Sequence, residues 1–122
     1  MARILVADDA APVRVLLVRH LRAAGHEVLD VGDGPAALEI GLGGDVDLAV
    51  VDQLMPGMLG TEVIAAWREQ GMEFPVFVLT AIDDDDTAIH SFEIGAADYV
   101  RKPVNMAELT ARINGRLRSD SR

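Results

Sequence analysis

The chain alternates short apolar segments with longer segments of helical period, and this alternation limits the folds open to it. Residues 4–7, 48–51 and 76–79 are uninterrupted apolar runs, which are typical of strands covered by helices on both faces. Residues 27–31 and 98–100 mix polar with apolar side chains, which fits strands at the edges of a sheet. The pattern therefore predicts five strands, three of them central.

The segments between these strands predict five helices. In the first helix an apolar stripe recurs at helical spacing, and Gly25 ends the helix; the stripe consists of Val13, Leu16, Leu17, Leu21 and Ala24. The other helices are expected over roughly residues 35–42, 60–70, 84–95 and 105–118. Such alternation predicts an α/β fold with a parallel sheet and right-handed crossovers. A doubly wound, flavodoxin-like strand order of 2-1-3-4-5 places the three apolar strands at the centre.

Length and composition exclude several classes of protein. The 122 residues suit a single domain, expected over residues 1–118 with a short tail at 119–122. The formal net charge of −9 argues against binding to nucleic acid or to an anionic membrane surface. The absence of cysteine excludes disulfides and thiolate metal sites. The first apolar run is too short for a secretory signal or a membrane span, so the cytoplasm is the expected location.

Polar residues suited to phosphoryl chemistry follow four of the predicted strands. Asp8 and Asp9 follow the first strand, Asp52 the third, Thr80 the fourth and Lys102 the fifth. The carboxyl ends of parallel strands meet at one edge of the sheet, so these residues are expected to lie together. Each of them alone is more often a turn residue, a helix cap or a solvated side chain. Their combination at the correct strand ends predicts a Mg²⁺-assisted phosphoryl-acceptor site.

With these residues and the Lys102-Pro103 pair, the chain resembles the receiver domain of two-component response regulators over essentially its whole length. The resemblance implies that Asp52 is the phosphoacceptor. It also implies that Asp9 and Asp52 bind Mg²⁺ directly, while Asp8 acts through a bound water or as a further ligand. Mn²⁺ is the expected substitute for Mg²⁺.

The same resemblance implies further contacts with the metal and the phosphoryl group. The backbone carbonyl of Leu54 is implied as a metal ligand. Thr80, the backbone N–H of Ala81 and the Lys102 ammonium are implied to bind phosphoryl oxygens. The peptide bond between Lys102 and Pro103 is implied to be cis.

The function implied by the resemblance is that of a phosphorylation-activated signalling switch. A sensor histidine kinase or phosphotransfer protein is expected to donate the phosphoryl group. A downstream effector protein, or an effector domain removed from the chain, is expected to receive the signal. Tyr99 is the implied switch residue, although a plain edge-strand tyrosine is an equally good reading. The output face, also the expected surface of a homodimer, comprises the fourth helix, fifth strand and fifth helix.

The chain is not expected to be a turnover enzyme, although it would promote its own phosphorylation and dephosphorylation. The alternative function is a phosphorylation-independent interaction adaptor of the same fold. An aspartyl-phosphate phosphatase is disfavoured, because Leu54 occupies the position of its general acid. A flavodoxin-like cofactor binder is disfavoured by the lack of a helix-opening phosphate loop.

Several other features of the sequence bear on the implied function. Leu54 and Ile82 flank the expected path of water to a phosphoaspartate, and we hypothesise that they slow its hydrolysis. Leu59 stands where the family often has an aspartate, and this is expected to affect loop order more than chemistry. The aspartate run at residues 83–86 is expected to cap a helix, and residues 41–44 are expected to form a glycine-rich turn. Structural roles are also favoured for three histidines, His20, His26 and His90.

Overall fold

The structure, a computed structural model, describes residues 2–81 and 85–120. Within these residues lie five strands, β1 Arg3–Ala7, β2 Glu27–Val31, β3 Leu48–Asp52, β4 Val76–Thr80 and β5 Asp98–Arg101. They form one parallel sheet in the order β2-β1-β3-β4-β5. The predicted doubly wound α/β fold is therefore confirmed.

Five helices accompany the strands in the described ranges: α1 Ala11–Ala23, α2 Gly34–Leu42, α3 Gly60–Glu69, α4 Asp85–Glu93 and α5 Met106–Asp120. None of these is long and apolar enough to cross a membrane. Compared with the predicted ranges, α4 ends earlier and α5 continues past residue 118. The glycine-rich turn predicted over residues 41–44 is restricted to its second half, because α2 continues through Leu42.

The burial of the strands follows their sequence patterns. Every residue of β3 and β4 is buried, and in β1 only Arg3 is partly exposed. The edge strand β2 mixes buried, intermediate and exposed positions, and β5 has only intermediate and exposed ones. Continuous apolar sequence therefore marks the strands that have helices over both faces.

The two faces of the sheet carry separate cores, because successive strand residues point in opposite directions. One core joins α1 and α5 through Leu17, Leu21, Leu109 and Ile113. The other joins α2 and α3 and contains the fully buried Trp67. The Trp67 indole donates a hydrogen bond of 3.1 Å to the carbonyl of Leu38, so its one polar group is satisfied.

The helix α1 buries a narrower stripe than its sequence predicted. Its buried residues are Leu17, Val18 and Leu21. Leu16 and His20, which are one helical turn apart, are both exposed. The structural reading of His20 on the apolar stripe is therefore wrong, because the sheet and α5 do not reach this row of α1.

His26 has structural contacts of the predicted kind. Its Nδ1 accepts a hydrogen bond of 3.2 Å from the backbone N–H of Ala2, so the proton lies on Nε2. That nitrogen donates to Oδ1 of Asn114 at 2.7 Å. The imidazole thus ties the first strand to α5, at the end of the sheet remote from the carboxyl ends.

Candidate functional site

Three carboxylates meet at the carboxyl edge of the sheet. Asp8 and Asp9 follow β1, and Asp52 is the last residue of the neighbouring strand β3. Each carboxylate offers one oxygen, and these oxygens lie within 4.8 Å of one another. Asp8 is fully buried and Asp52 is 5% exposed, whereas Asp9 is exposed. The cluster therefore has a buried floor and one side open to solvent.

A single ammonium group reaches two of these carboxylates. The Nζ of Lys102 lies 3.0 Å from Oδ2 of Asp8 and 3.2 Å from Oδ2 of Asp52. The Lys102 backbone N–H donates to the carbonyl of Thr80 at 2.8 Å, which joins the end of β5 to that of β4. The peptide bond between Lys102 and Pro103 is cis. The lysine that follows the edge strand is thus directed into the carboxylate cluster.

The electrostatics of the cluster favour a bound cation. Burial, and after it the charge of Asp8, raises the pKa of Asp52 from its ordinary 3.8 to about 6, although Lys102 acts in the opposite direction. Burial also acts to lower the pKa of Lys102, but contacts with Asp8 and Asp52 outweigh it and leave that pKa above its ordinary value. Lys102 is therefore charged at neutral pH, and it offsets only part of the carboxylate charge.

The loop that carries Asp8 and Asp9 is held by its own backbone and by an arginine. The Asp8 N–H donates to the carbonyl of Val31 at 3.1 Å. The Asp8 carbonyl accepts a hydrogen bond of 2.6 Å from Nη1 of Arg14, one turn into α1. The Nε of Arg14 makes an ion pair of 3.1 Å with Oδ2 of Asp30 on β2. The end of β1 is therefore fixed from the side of β2.

The loop after β3 is held by Gln53 and by the start of α3. The Gln53 backbone N–H donates to the carbonyl of Leu79 at 2.8 Å, and its carbonyl accepts from Gly60 at 2.9 Å. A Cβ atom on Gly60 would lie 2.6 Å from the carbonyl oxygen of Asp52, so only glycine fits there. The chain therefore passes directly against the last residue of β3 as it enters α3.

The other predicted site residues lie around this edge. Thr80 is fully buried as the last residue of β4, and Ala81, which follows it, is exposed. Tyr99 is partly buried on β5, in register with Val78, and it packs on the core beneath α2 and α3. Leu54 is 50% exposed. Ile82 and the aspartates at 83 and 84 lie outside the described residues, whereas Asp85 and Asp86 occupy the first turn of α4.

Comparison with known proteins identifies the family. The family described as "Response regulator receiver domain" matches residues 4–114. The chain belongs to this family. Among curated relatives, this receiver is 36% identical over 116 residues to the alkaline phosphatase synthesis transcriptional regulatory protein PhoP of Bacillus subtilis, covering 95% of the chain and 48% of that protein.

Two further relatives support the assignment. The receiver is 42% identical over 111 residues to the transcriptional regulatory protein TcrA of Mycobacterium tuberculosis, covering 91% of the chain and 44% of that protein. The solved receiver domain of the Francisella response regulator 1452 superposes with a TM-score of 0.92 at 28% identity, covering 100% of both chains. The chain spans about half the length of the curated relatives it matches.

Receiver domains bind Mg²⁺ at an acidic cluster, and the donor set of this receiver suits such an ion. Mg²⁺ takes oxygen ligands in near-octahedral geometry and is usually held by one or two carboxylates together with waters. Here Asp9 is exposed and Asp52 adjoins it, so both can supply oxygens from the open side. The Oδ2 atom of Asp8 is buried and makes its ion pair with Lys102 without a hydrogen bond of good geometry. Its unused acceptor capacity also suits a cation.

Two residues that help to build this receiver's site were not recognised in the sequence. Arg14 of α1 is one of them, and its guanidinium contacts the Asp8 carbonyl. The other is Gln53, which lies between Asp52 and Leu54 and contacts Thr61. No pattern in the sequence marked them, because their partners lie on other elements or across a loop.

Proposed function

We propose that this receiver is a phosphorylation-activated switch in which Asp52 accepts a phosphoryl group from a histidine kinase or a phosphotransfer protein. The observation that carries the proposal is the position of the Lys102 ammonium, 3.2 Å from an Asp52 carboxylate that already adjoins Asp8 and Asp9. A nucleophilic carboxylate, a cation and a metal-binding acidic pair are the groups that phosphoryl transfer to aspartate needs. Mg²⁺ is the proposed ion, with Mn²⁺ as a substitute.

The transfer exchanges one bond to phosphorus for another. A carboxylate oxygen of Asp52 forms the new bond as the bond between phosphorus and the donor's imidazole nitrogen breaks, and the bonding pair leaves with that nitrogen. With acetyl phosphate the pair leaves with the acetate oxygen. No general base is required, because a pKa of about 6 leaves most of Asp52 ionised at pH 7.

The surrounding residues supply orientation and charge. Lys102 contacts Asp52 before transfer, so its ammonium is placed to neutralise the incoming phosphoryl oxygens without reorganisation. When bound, Mg²⁺ would supply the remaining positive charge, held by Asp9, Asp52 and the carbonyl of Leu54, with Asp8 acting directly or through water. The Thr80 hydroxyl and the N–H of Ala81 are the proposed donors on the other side of the phosphoryl group.

Phosphorylation is proposed to act on the adjacent strands β4 and β5. Movement of Thr80 toward the phosphoryl group would free space beside β4, and Tyr99 on the next strand would turn into it. Moving the equilibrium between the inactive and active conformations from 99:1 to 1:99 takes about 5.5 kcal/mol of differential interaction. A few charge-assisted hydrogen bonds to the phosphoryl group can provide this. The fully buried Thr80 and the partly buried Tyr99 have the burial that such an exchange requires.

The proposed output is a downstream effector protein, or an effector domain in a longer chain, because the curated relatives named above are transcriptional regulatory proteins about twice as long. Direct contact of this domain with nucleic acid is not proposed, since its net charge is −9. The output face, also proposed as a dimer surface, is formed by α4, β5 and α5. Ile89 and Phe92 of α4 support this face, because they are 55% and 51% exposed. The proposed location is the cytoplasm.

The test is Mg²⁺-dependent labelling of the intact protein with acetyl phosphate. A single phosphoryl mass increment in the wild type, abolished by chelator and absent from Asp52→Asn, is the expected result. A receiver that binds Mg²⁺ but gains no increment, even after rapid quenching, would instead support the phosphorylation-independent adaptor. That alternative is disfavoured by the complete set of Asp8, Asp9, Asp52 and Lys102 at one edge of the sheet.

A further inference from the structure

A pair of buried polar side chains joins the start of the loop after β3 to the first turn of α3. Gln53 and Thr61 are each only 5% exposed. The Oε1 of Gln53 accepts a hydrogen bond of 2.9 Å from the backbone N–H of Thr61, and its Nε2 donates to the Thr61 hydroxyl at 3.1 Å. The first contact needs an oxygen acceptor, which fixes the orientation of the amide. We call this pair the loop clasp.

The loop clasp satisfies groups that burial would otherwise leave unpaired. Thr61 lies in the first turn of α3, where backbone N–H groups have no partner within the helix. The Gln53 amide oxygen accepts from one of these N–H groups, as the side chain of a helix N-cap residue does, although Gln53 lies outside the helix. An unpaired buried donor or acceptor is costly, so both side chains are held to one geometry.

Gln53 is fixed by its backbone as well as its side chain. Its N–H bonds to Leu79 of β4, and its carbonyl accepts from Gly60. Four polar groups of this one residue therefore have assigned partners on β4 and at the start of α3. Asp52 precedes Gln53 and Leu54 follows it, so the clasp acts on the residue that lies between two proposed metal ligands.

We propose that the loop clasp is a positioning device for the metal site, which sets the Asp52 carboxylate and the Leu54 carbonyl at the spacing that a divalent cation requires. This inference rests on the proposed function. Mg²⁺ tolerates little departure from octahedral geometry, and groups that orient its ligands are worth about 10- to 100-fold in affinity. An apolar contact between the loop and α3 would hold them together equally well, but it would not fix their relative orientation, because apolar contacts are not directional. The paired amide and hydroxyl fix the rotation of the loop.

The test is the Mg²⁺ dissociation constant of the whole chain, measured by isothermal titration calorimetry. Gln53→Met keeps the length of the side chain and removes both hydrogen bonds, so its affinity should fall about tenfold. Thr61→Val keeps the shape and removes only the hydroxyl, and a smaller loss is expected. The conservative Thr61→Ser retains both hydrogen bonds to Gln53 and should bind Mg²⁺ almost as tightly as the wild type. Thr61→Val also serves as the test if Gln53→Met does not fold.

A destabilised control separates positioning from general loosening of the fold. Val63→Ala removes buried core volume from the same helix without touching the clasp. It should lower the melting temperature while leaving the dissociation constant unchanged. If the clasp variants bound Mg²⁺ as tightly as the wild type, or if Val63→Ala lost as much affinity as they do, the inference would be overturned. The proposed function would be unaffected by either result. A wild type that shows no saturable Mg²⁺ binding would overturn the proposed function, and the inference with it.

Discussion

Replacing the buried Asp52 by asparagine should stabilise the metal-free protein at neutral pH. Folding raises the pKa of this carboxyl from 3.8 to about 6, so ionised Asp52 is less favourable in the folded state than in the unfolded state. The shift of about 2 pKa units corresponds to about 3 kcal/mol, as an order of magnitude. Asp52→Asn keeps the shape of the side chain and removes that cost, while Lys102 retains its ion pair with Asp8.

The sign of the effect depends on pH. Above the folded pKa of about 6, both states are ionised and the wild type bears the full cost. As the pH falls from about 6 toward 3.8, the folded state takes up the proton first, and the wild type gains stability relative to Asp52→Asn. The difference in free energy of unfolding between the two proteins should therefore be largest near pH 7.5 and nearly absent at pH 4.

The assay is urea denaturation in the presence of chelator at a series of pH values. Glu39→Gln, which removes an exposed carboxylate from α2, is the matched control and should follow the wild-type profile. Asp52→Asn should have the higher midpoint at pH 7.5 with an unchanged slope. If it were instead less stable at pH 7.5, attraction to Lys102 would outweigh burial and the charge of Asp8. If the difference were the same at every pH, folding would not raise the pKa of Asp52. The stated balance of charges would then be refuted.

Three further outcomes test the site. Addition of Mg²⁺ at a hundred times its dissociation constant should raise the free energy of unfolding of the wild type by about 2.7 kcal/mol. Calorimetric melting should detect this gain in the wild type and show that it is lost in Asp9→Asn. Lys102→Met should slow labelling by acetyl phosphate about a hundredfold, and a quenched time course that matches the wild type would remove Lys102 from the mechanism. If apolar side chains shield the phosphoaspartate, Leu54→Asn combined with Ile82→Glu should speed phosphoryl loss, whereas an unchanged decay rate would contradict that hypothesis.

The sheet could be predicted because its signals are local and mutually consistent. The apolar runs that contain Ile4, Val50 and Phe77 are too continuous for surface strands, and the helical segments between them force a parallel arrangement. Once the strand order was set, Asp8 and Asp52 had to lie side by side at one edge of the sheet. Topology, rather than any single motif, predicted the cluster.

Features that depend on packing at a distance were not predictable. Leu16 has the same apolar character as Leu17, yet only Leu17 reaches the core, because the position of α5 decides which row of α1 is covered. In the sequence Gln53 is an ordinary polar loop residue, and its contact with Thr61 arises only when α3 packs beside the loop. The pKa of Asp52 likewise depends on burial and charge that come from several strands. Sequence spacing carries no information on such contacts.

Mapping the modified residue tests most directly whether Asp52 carries the phosphoryl group. The wild type would be labelled with acetyl phosphate and Mg²⁺, reduced with borohydride to trap the acyl phosphate, and digested for peptide mass spectrometry. The expected result is reduction at residue 52 alone, with no labelled residue 52 in a sample treated with hydroxylamine before the reduction. Labelling at a histidine, serine or threonine, or equal labelling of Asp52→Asn, would contradict it.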